Sequence, residues 1–209
     1  MYLGIDLAFP GKPVACALLD KDASFQFAHY VDSDEAILEL ASSCRPGLVA
    51  IDAPLALPAG WSCLDDPCHC GACPDDPGGR RSAETALSAR GISTYWTTRR
   101  SFIRPMVLRG IALKAALLAM GPDVIEIYPY ASKRLLFGPV LPNKRRRAGR
   151  RFLQERLAAL LPGLPEEPLL SHDLLDALLA AYTGWLYGQG RTENVGAEDG
   201  AIVIPLALG

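Results

Sequence analysis

The sequence predicts an α/β fold in which helices flank a mixed sheet of five strands. Three short apolar segments separated by turn residues open the chain, and this pattern indicates hairpin-linked antiparallel strands. Two later apolar segments each follow helical sequence, and strands that are joined through helices run parallel. With 209 residues, 50% of them hydrophobic, the chain can bury an ordinary core, so we expect one domain over residues 1–209.

The first half of the chain supplies four of the five strands. The predicted antiparallel strands are residues 2–8, 14–19 and 25–31. Ser33 is placed to cap a helix over residues 34–43, whose first turn carries two acids, as the helix dipole favours. Residues 48–51 form the fourth strand, which ends at Asp52 because Pro54 follows closely.

After the fourth strand, the pattern of alternating strands and helices is interrupted by a loop. Residues 58–80 contain Pro, Gly and four Cys, and we predict that they form a cysteine-rich loop inserted into the domain. Helical patterns then cover residues 82–89, 103–120, 144–161 and 171–187. The fifth strand is predicted at residues 124–128, where Pro129 ends it, and the apolar residues 202–204 are predicted to add a short strand.

Charge is distributed very unevenly along the chain. Residues 80–156 contain 17 Lys and Arg but four Asp and Glu, whereas the rest contains four basic and 19 acidic residues. This asymmetry predicts a positive face and a polyanionic partner, with nucleic acid as the leading candidate. The alternative is that solvated helix faces pair with the acidic segments. The expected nucleic-acid contacts are Arg80, Arg81, Arg99, Arg100, Arg104, Lys144, Arg145, Arg146, Arg147, Arg150 and Arg151.

Aromatic side chains lie among these basic residues. Tyr95, Trp96 and Phe102 interleave the arginines of residues 99–104, a combination that suits stacking on unpaired bases beside phosphate contacts. The alternative is that these rings belong to the core beneath arginine stems.

No apolar stretch reaches the roughly 18 residues that a membrane-spanning helix needs, and no secretion signal opens the chain. We therefore expect a cytoplasmic protein that does not contact membranes. Four of the six cysteines crowd into one segment, as Cys63, Cys68, Cys70 and Cys73. Clustered cysteines in such a chain indicate a metal site, and four thiolates suit tetrahedral Zn²⁺. An iron–sulfur cluster and reduced or disulfide-linked thiols are the alternatives.

Several carboxylates occupy elements that are otherwise apolar. They are Asp6 in the first strand, Asp52 at the end of the fourth, Glu126 in the fifth, and Asp173 and Asp176 in the last long helix. A buried, unpaired charge is costly, so each must be protonated, paired or bound to a cation. Singly, Asp52 could be a turn residue and Asp173 a favourable residue at a helix start. Together, their oxygens suit one or two Mg²⁺ or Mn²⁺ ions, and two such ions could promote phosphodiester hydrolysis.

Five short motifs follow one another along the chain, and their order carries a resemblance to a known family. They are Gly4–Ala8, Ala50–Leu55, Arg81-x-x-Glu84, Ile125–Pro129 and Asp173–Ala177. In this order they resemble the predicted RNase H-like nuclease family known as domain of unknown function 429, and the last is similar to the terminal helix of RuvC-type resolvases. The resemblance implies an RNase H-like core.

The same resemblance implies a metal-dependent nuclease. It places the catalytic, metal-binding carboxylates at Asp6, Asp52 or Glu126, Asp173 and Asp176. Glu84 also matches the family pattern, either as an extra ligand or as a partner of Arg80 or Arg81. His172, next to the paired aspartates, could assist proton transfer or orient the substrate, although a structural role is the alternative.

The leading hypothesis is therefore a nuclease that hydrolyses DNA or RNA with two divalent ions. One alternative is an actin-like, ATP-dependent phosphotransferase in which the same acids would hold magnesium and ATP. Another is a nucleic-acid-binding protein without catalytic activity. The sequence specifies neither the substrate nor the oligomeric state.

Overall fold

The described residues form one mixed sheet of seven strands. The strands are β1 (Tyr2–Asp6), β2 (Val14–Leu19), β3 (Phe25–Val31), β4 (Leu48–Asp52), β5 (Asp123–Ile127), β6 (Thr192–Ala197) and β7 (Gly200–Pro205). Their order across the sheet is β3-β2-β1-β4-β5-β7-β6. Strands β1, β4, β5 and β7 run parallel, while β2, β3 and β6 pair with their neighbours in antiparallel fashion. This computed structural model describes residues 1–74, 79–197 and 199–207.

The mixed α/β architecture is confirmed, but the number of five strands was wrong. The apolar residues 202–204 lie within β7, which joins the sheet beside β5. The strand that was not predicted from the sequence is β6, in which only Val195 is buried. An edge strand with one buried side chain has no clear apolar alternation, so periodicity does not reveal it.

Six helices flank the sheet. They are α1 (Asp34–Cys44), α2 (Ser82–Ala89), α3 (Arg104–Ala119), α4 (Pro129–Phe137), α5 (Arg147–Ala158) and α6 (His172–Gly188). Helix α4 is not evident from the sequence, because Pro129 after an apolar segment indicates the end of a strand. Proline is also favoured in the first turn of a helix, where its missing N–H group has no partner to lose, and Pro129 occupies that position.

The two faces of the sheet carry different helices. Alternating residues of β1 and β4, including Ile5 and Ile51, pack with α1 and α3 in one apolar cluster. The residues between them, including Gly4 and Ala50, face α6. Because side chains alternate between faces along a strand, this pattern also fixes the face on which the acidic residue at each strand end lies.

Gly4 controls how closely α6 approaches the sheet. A Cβ atom on Gly4 would lie 2.1 Å from the carbonyl oxygen of Ala177 and 2.3 Å from the backbone nitrogen of Ala181. Real Cβ atoms do not approach backbone atoms this closely, so only glycine permits the observed packing of α6 on β1. The close packing brings the acidic residues of α6 next to the end of β1.

The cysteine-rich segment lies between β4 and α2. Trp61 and Leu64 from this segment pack against Ile103 and Val107 at the start of α3. Part of the predicted insertion, residues 75–78, lies outside the described residues. Among the helices that the structure describes, none is both long enough and apolar enough to cross a membrane.

Candidate active site

Three aspartates converge at the carboxyl ends of the central parallel strands. Asp6 and Asp52 are direct partners in the register of β1 and β4, so both side chains lie on the face covered by α6. Asp176 of α6 is almost fully buried, at 1% exposure. All three line an open cleft of about 490 Å³. Ligand sites in folds of this kind commonly occur at the carboxyl ends of parallel strands.

Two lysines neutralise Asp176. The ammonium group of Lys133 donates to Oδ1 at 2.7 Å, and that of Lys144 donates to Oδ2 at 2.5 Å. Lys133 is buried in α4, whereas about half of the Lys144 side chain is exposed at the cleft. Lys133 was not predicted as a site residue, because helix α4, which carries it, was not predicted.

The remaining carboxylates of the cleft repel one another. Burial, followed by repulsion from Asp52, Asp176 and Asp173, raises the pKa of Asp6 well above its usual range, against the opposing effect of Lys144. Burial and repulsion from Asp176 raise the pKa of Asp52 to about 7. Both shifts mean that an additional cation in the cleft would favour the charged carboxylates.

Asp173 lies one helical turn before Asp176 and is more exposed. The hydroxyl group of Tyr30 donates to its Oδ2 at 3.2 Å, and Nδ1 of His172 lies 2.6 Å from its Oδ1. Ser171 caps α6 by accepting a hydrogen bond from the N–H group of Leu174. Asp173 therefore combines a helix-start position with proximity to Asp6.

Glu126 differs from the prediction that it lies with Asp6 and Asp52. Its register partner on β4 is Ile51, not Asp52, so its side chain lies on the opposite face of the sheet. Both of its carboxylate oxygens accept hydrogen bonds from Arg81 at 2.6 Å, and Oε2 also accepts from the N–H group of Leu55 at 2.8 Å. Both oxygens of this carboxylate are therefore already paired with a buried cation on the other face of the sheet.

Arg81 also differs from its predicted role, because it is 1% exposed and cannot present its guanidinium group to a nucleic acid. Its Nε donates to Glu84 at 3.0 Å. Glu84 accepts two further hydrogen bonds from Thr97, from the backbone N–H group at 2.9 Å and from the hydroxyl group at 2.5 Å. Of the two predicted roles for Glu84, these contacts support the pairing with Arg81.

Several other predicted nucleic-acid contacts already have partners on the protein. Arg80 stacks over Trp96, Arg99 over Trp61, Arg100 pairs with Asp66, Arg104 with Asp65, and Arg151 with Glu167. The Nε atom of Arg150 is buried without a hydrogen-bond partner among the described residues. In the same part of the chain, Arg145, Arg146 and Arg147 are exposed and form no ion pair with any described residue. This triplet follows Lys144 directly, so the exposed positive charge lies beside the cleft.

The four clustered cysteines form a compact group of thiols. Neighbouring Sγ atoms lie 3.3 to 3.7 Å apart. This spacing is close to the roughly 3.8 Å that separates the sulfur atoms of tetrahedral zinc thiolates. The N–H group of Ser62 donates to the thiol of Cys73 and lowers its pKa to about 6, which favours the thiolate form.

The Cys63, Cys68, Cys70 and Cys73 group is also the one set of three or more His, Cys, Asp or Glu residues, within the described ranges, whose ligand atoms all lie within 4.8 Å. No three carboxylates of the cleft form such a set among the described residues, and both oxygens of Asp176 accept from lysines instead.

Comparisons with known proteins agree with this fold. The model of the family described as "Protein of unknown function (DUF429)" matches residues 4–200. The structure is similar to that of the Thermus thermophilus RuvC bound to a Holliday junction substrate, with a TM-score of 0.50 and 16% identity over 91% of this chain and 96% of that one. A second Thermus thermophilus RuvC structure gives a TM-score of 0.50 and 15% identity over 90% of this chain and 95% of that one. No curated protein matches the chain.

Proposed function

Since the chain belongs to the DUF429 family and has an RNase H-like, RuvC-like fold, we propose that it is a metal-dependent nuclease that hydrolyses phosphodiester bonds in nucleic acid. One observation carries the proposal. Asp6 and Asp52, paired across adjacent parallel strands, share an open cleft with the buried Asp176 and two lysines. The exposed Arg145–Arg147 triplet beside this cleft supplies the positive charge that a phosphate backbone needs.

The donor chemistry of the cleft fits a hard divalent cation. Asp6, Asp52 and Asp176 offer carboxylate oxygens, which Mg²⁺ and Mn²⁺ prefer, and Asp173, whose charge acts on Asp6, adds another nearby. When a bound cation keeps all four carboxylates ionised, they and the two ammonium groups carry a net charge of about −2, which one divalent ion balances. A second ion requires Lys144 to leave Asp176, and its partly exposed side chain permits this. When bound, such ions polarise the phosphodiester and activate water.

The protein's own residues bind and orient the substrate. Arg145, Arg146 and Arg147 contact the phosphates that flank the cleaved bond and fix the register of the strand. The ammonium group of Lys144, which lines the cleft and directly precedes this triplet in sequence, attracts the phosphate that enters the cleft. The hydroxyl group of Tyr30 donates to the Asp173 carboxylate and helps to position it.

The cysteine group supports a structural Zn²⁺ site. Cys63, Cys68, Cys70 and Cys73 provide four thiols at tetrahedral spacing, and such closed sites serve folding instead of catalysis. Arg99 lies against this group: burial lowers its pKa, but contact with Cys73 and the charge of Cys68 raise it overall. Its positive charge would offset the excess negative charge of four thiolates around one Zn²⁺ ion.

Incubation with labelled nucleic acids tests the proposal. The substrates are single-stranded, duplex and branched DNA and RNA, each with Mn²⁺ or with a chelator. We expect Mn²⁺-dependent cleavage that Asp6→Asn abolishes. Asp22→Asn is the matched control, because Asp22 is exposed and pairs only with Lys21. The proposal fails if no substrate is cleaved by a protein that binds Mn²⁺, or if Asp6→Asn cleaves as well as Asp22→Asn.

A further inference from the structure

Three exposed aromatic rings form a group beside the cleft. Phe9, Tyr95 and Phe102 are 38%, 61% and 64% exposed, so they do not belong to the core. The rings of Phe9 and Phe102 are stacked with their centroids 6.3 Å apart, and Tyr95 meets Phe102 edge-on at 5.2 Å. A contiguous group of exposed aromatic rings is unfavourable in water and is typical of a surface that binds a ligand or a partner molecule.

This aromatic group is continuous with the carboxylates. Tyr95 itself lines the cleft that contains Asp6 and Asp52. Phe9 follows Asp6 by three residues, just after the end of β1. A molecule bound in the cleft therefore lies against Tyr95, whose ring contacts Phe102.

The backbone on both sides of the aromatic group is held in place. The guanidinium group of Arg109 in α3 donates to the carbonyl oxygens of Ala8 at 2.7 Å and of Phe9 at 3.2 Å, and its Nε donates to Asp34 at 2.8 Å. These contacts fix the segment that carries Phe9. A surface that is fixed before binding loses little conformational entropy when its ligand arrives.

The cysteine loop holds the segment that carries Phe102. Arg100 donates to Asp66 at 2.7 Å, and Arg104 pairs with Asp65, so arginines on both sides of Phe102 reach acids that lie between Cys63 and Cys68. Arg99 continues the contact by stacking over Trp61 at 4.4 Å. The loop is thus fastened to the aromatic group by charged contacts as well as by its apolar packing on α3.

We propose that Phe9, Tyr95 and Phe102 stack against an unpaired nucleobase next to the phosphodiester in the cleft, and that the cysteine loop keeps these rings in position. The inference rests on the proposed function in that it takes the cleft to hold nucleic acid. Every base has a flat π-face, and aromatic side chains bind such faces without sequence preference. The exposed Arg145–Arg147 triplet provides the phosphate contacts that an accompanying backbone requires. The favoured ligand is therefore nucleic acid with an unpaired base, either a single strand or a junction. A fully paired duplex is disfavoured, because its bases stack on one another.

Binding measurements test the stacking surface separately from cleavage. Fluorescence anisotropy would be measured with a single-stranded oligonucleotide, the matching blunt duplex, and a strand that contains an abasic position, all in the Asp6→Asn background. We expect Phe102→Leu and Tyr95→Leu, which remove the ring but keep an apolar side chain, to weaken single-strand binding about five- to 100-fold. Phe102→Trp should bind like the parent. Leu118→Ala, which truncates an exposed apolar side chain of α3, is the control.

Two further readouts separate stacking from a general loss of binding. A 2-aminopurine base should lose fluorescence when it stacks on the parent protein and should regain it with Phe102→Leu. The salt dependence should be unchanged in Phe102→Leu, because no phosphate contact is lost. Equal single-strand affinity for the parent and both leucine variants would overturn the proposal. So would an equal loss of duplex and single-strand binding, or a change of oligomeric state in the leucine variants.

The role of the cysteine loop has its own test. Asp65→Asn combined with Asp66→Asn leaves the four thiols intact but removes the contacts to Arg104 and Arg100. We expect this variant to keep the zinc content of the parent and to lose part of the 2-aminopurine quenching, since exposed ion pairs each contribute about 1 kcal/mol or less. Unchanged quenching would overturn the role of the loop. Cleavage that is unaffected by Phe102→Leu would support the nuclease proposal and refute the stacking surface. Binding that depends on the rings, with no cleavage by the wild type, would support the stacking surface and refute the nuclease proposal.

Discussion

Replacement of Arg81 by Met should destabilise the protein strongly, because it removes the one cation that two buried carboxylates share. Arg81 is 1% exposed, and its partners Glu84 and Glu126 are 1% and 6% exposed. After the substitution, Glu84 keeps both hydrogen bonds from Thr97, whereas Glu126 keeps only the one from Leu55. Glu126 therefore becomes a buried charge with little compensation.

The structure sets the size of this effect. Removal of one partner from a buried ion pair costs about 3–5 kcal/mol. For a chain of this length, that cost corresponds to a fall in melting temperature of about 10 °C. The matched control is Arg90→Met, which breaks the pair of Arg90 with Glu193 at the surface, where both side chains are more than a third exposed. Exposed pairs contribute about 1 kcal/mol or less.

Thermal and urea unfolding would measure both variants, together with Arg81→Met combined with Glu126→Gln. Because the double variant removes the uncompensated charge as well as the cation, it should recover about 1–3 kcal/mol relative to Arg81→Met. The reasoning is refuted if Arg81→Met costs no more than Arg90→Met. It is also refuted if the double variant is no more stable than the single one, since Glu126 would then not depend on Arg81.

The cleft and its packing give three further predictions. The rise in melting temperature that Mg²⁺ produces should grow between pH 5.5 and 8, as measured by differential scanning fluorimetry. The folded-state pKa of Asp52 is raised to about 7, so the stability of the metal-free protein falls as the pH rises through that value. Over the same range Mg²⁺ competes with fewer protons for the carboxylates, so it stabilises the protein more. A Mg²⁺-induced rise in melting temperature that stays constant or shrinks with pH would contradict this. Lys144→Ala should bind Mn²⁺ more tightly in titration calorimetry, because the ammonium group no longer competes for Asp176; unchanged or weaker binding would argue against that competition. Gly4→Ala should destabilise the fold by about 1–3 kcal/mol and weaken Mn²⁺ binding, because its Cβ would displace α6 from β1; a melting temperature equal to that of the wild type would disprove the packing account.

Much of the fold follows from the sequence because its elements carry strong local signals. Strands β1 to β5 are apolar segments bounded by turn or helical residues, and their hairpin or helical connections determine which of them run parallel. Acids at the ends of apolar strands and in an apolar helix are conspicuous as well. The structure accordingly brings Asp6, Asp52 and Asp176 into one cleft.

The predictions that differ from the structure depend on information that short patterns do not contain. Glu126 lies one register position away from Asp52, and this single step moves its side chain to the other face of the sheet. The alternation of Ile125, Glu126 and Ile127 indicates that Glu126 faces away from the two isoleucines. Only the pairing of β5 with β4 shows that it also faces away from Asp52. Arg81 occurs in a basic segment, and only its three-residue spacing to Glu84 distinguishes this buried arginine from its exposed neighbours.

Side chains from unpredicted or loop segments were harder still to find. Lys133 lies in the unpredicted α4, so its approach to Asp176 depends on the packing of α4 against α6. Phe9 comes from a turn far in sequence from Tyr95 and Phe102, and only the tertiary fold brings the three rings together. Such groupings across distant segments arise from packing and have no counterpart in local periodicity.

The Mn²⁺ dependence of cleavage, measured side by side for the wild type, Asp6→Asn and Glu126→Gln, tests the central claim most directly. The cleft of Asp6, Asp52 and Asp176 predicts that Asp6→Asn loses cleavage and Mn²⁺ binding while remaining folded. It also predicts that Glu126→Gln, although less stable, retains both, because Glu126 lies on the other face of the sheet and pairs with Arg81. Full activity of Asp6→Asn would contradict the account, and so would loss of Mn²⁺ binding in a folded Glu126→Gln protein.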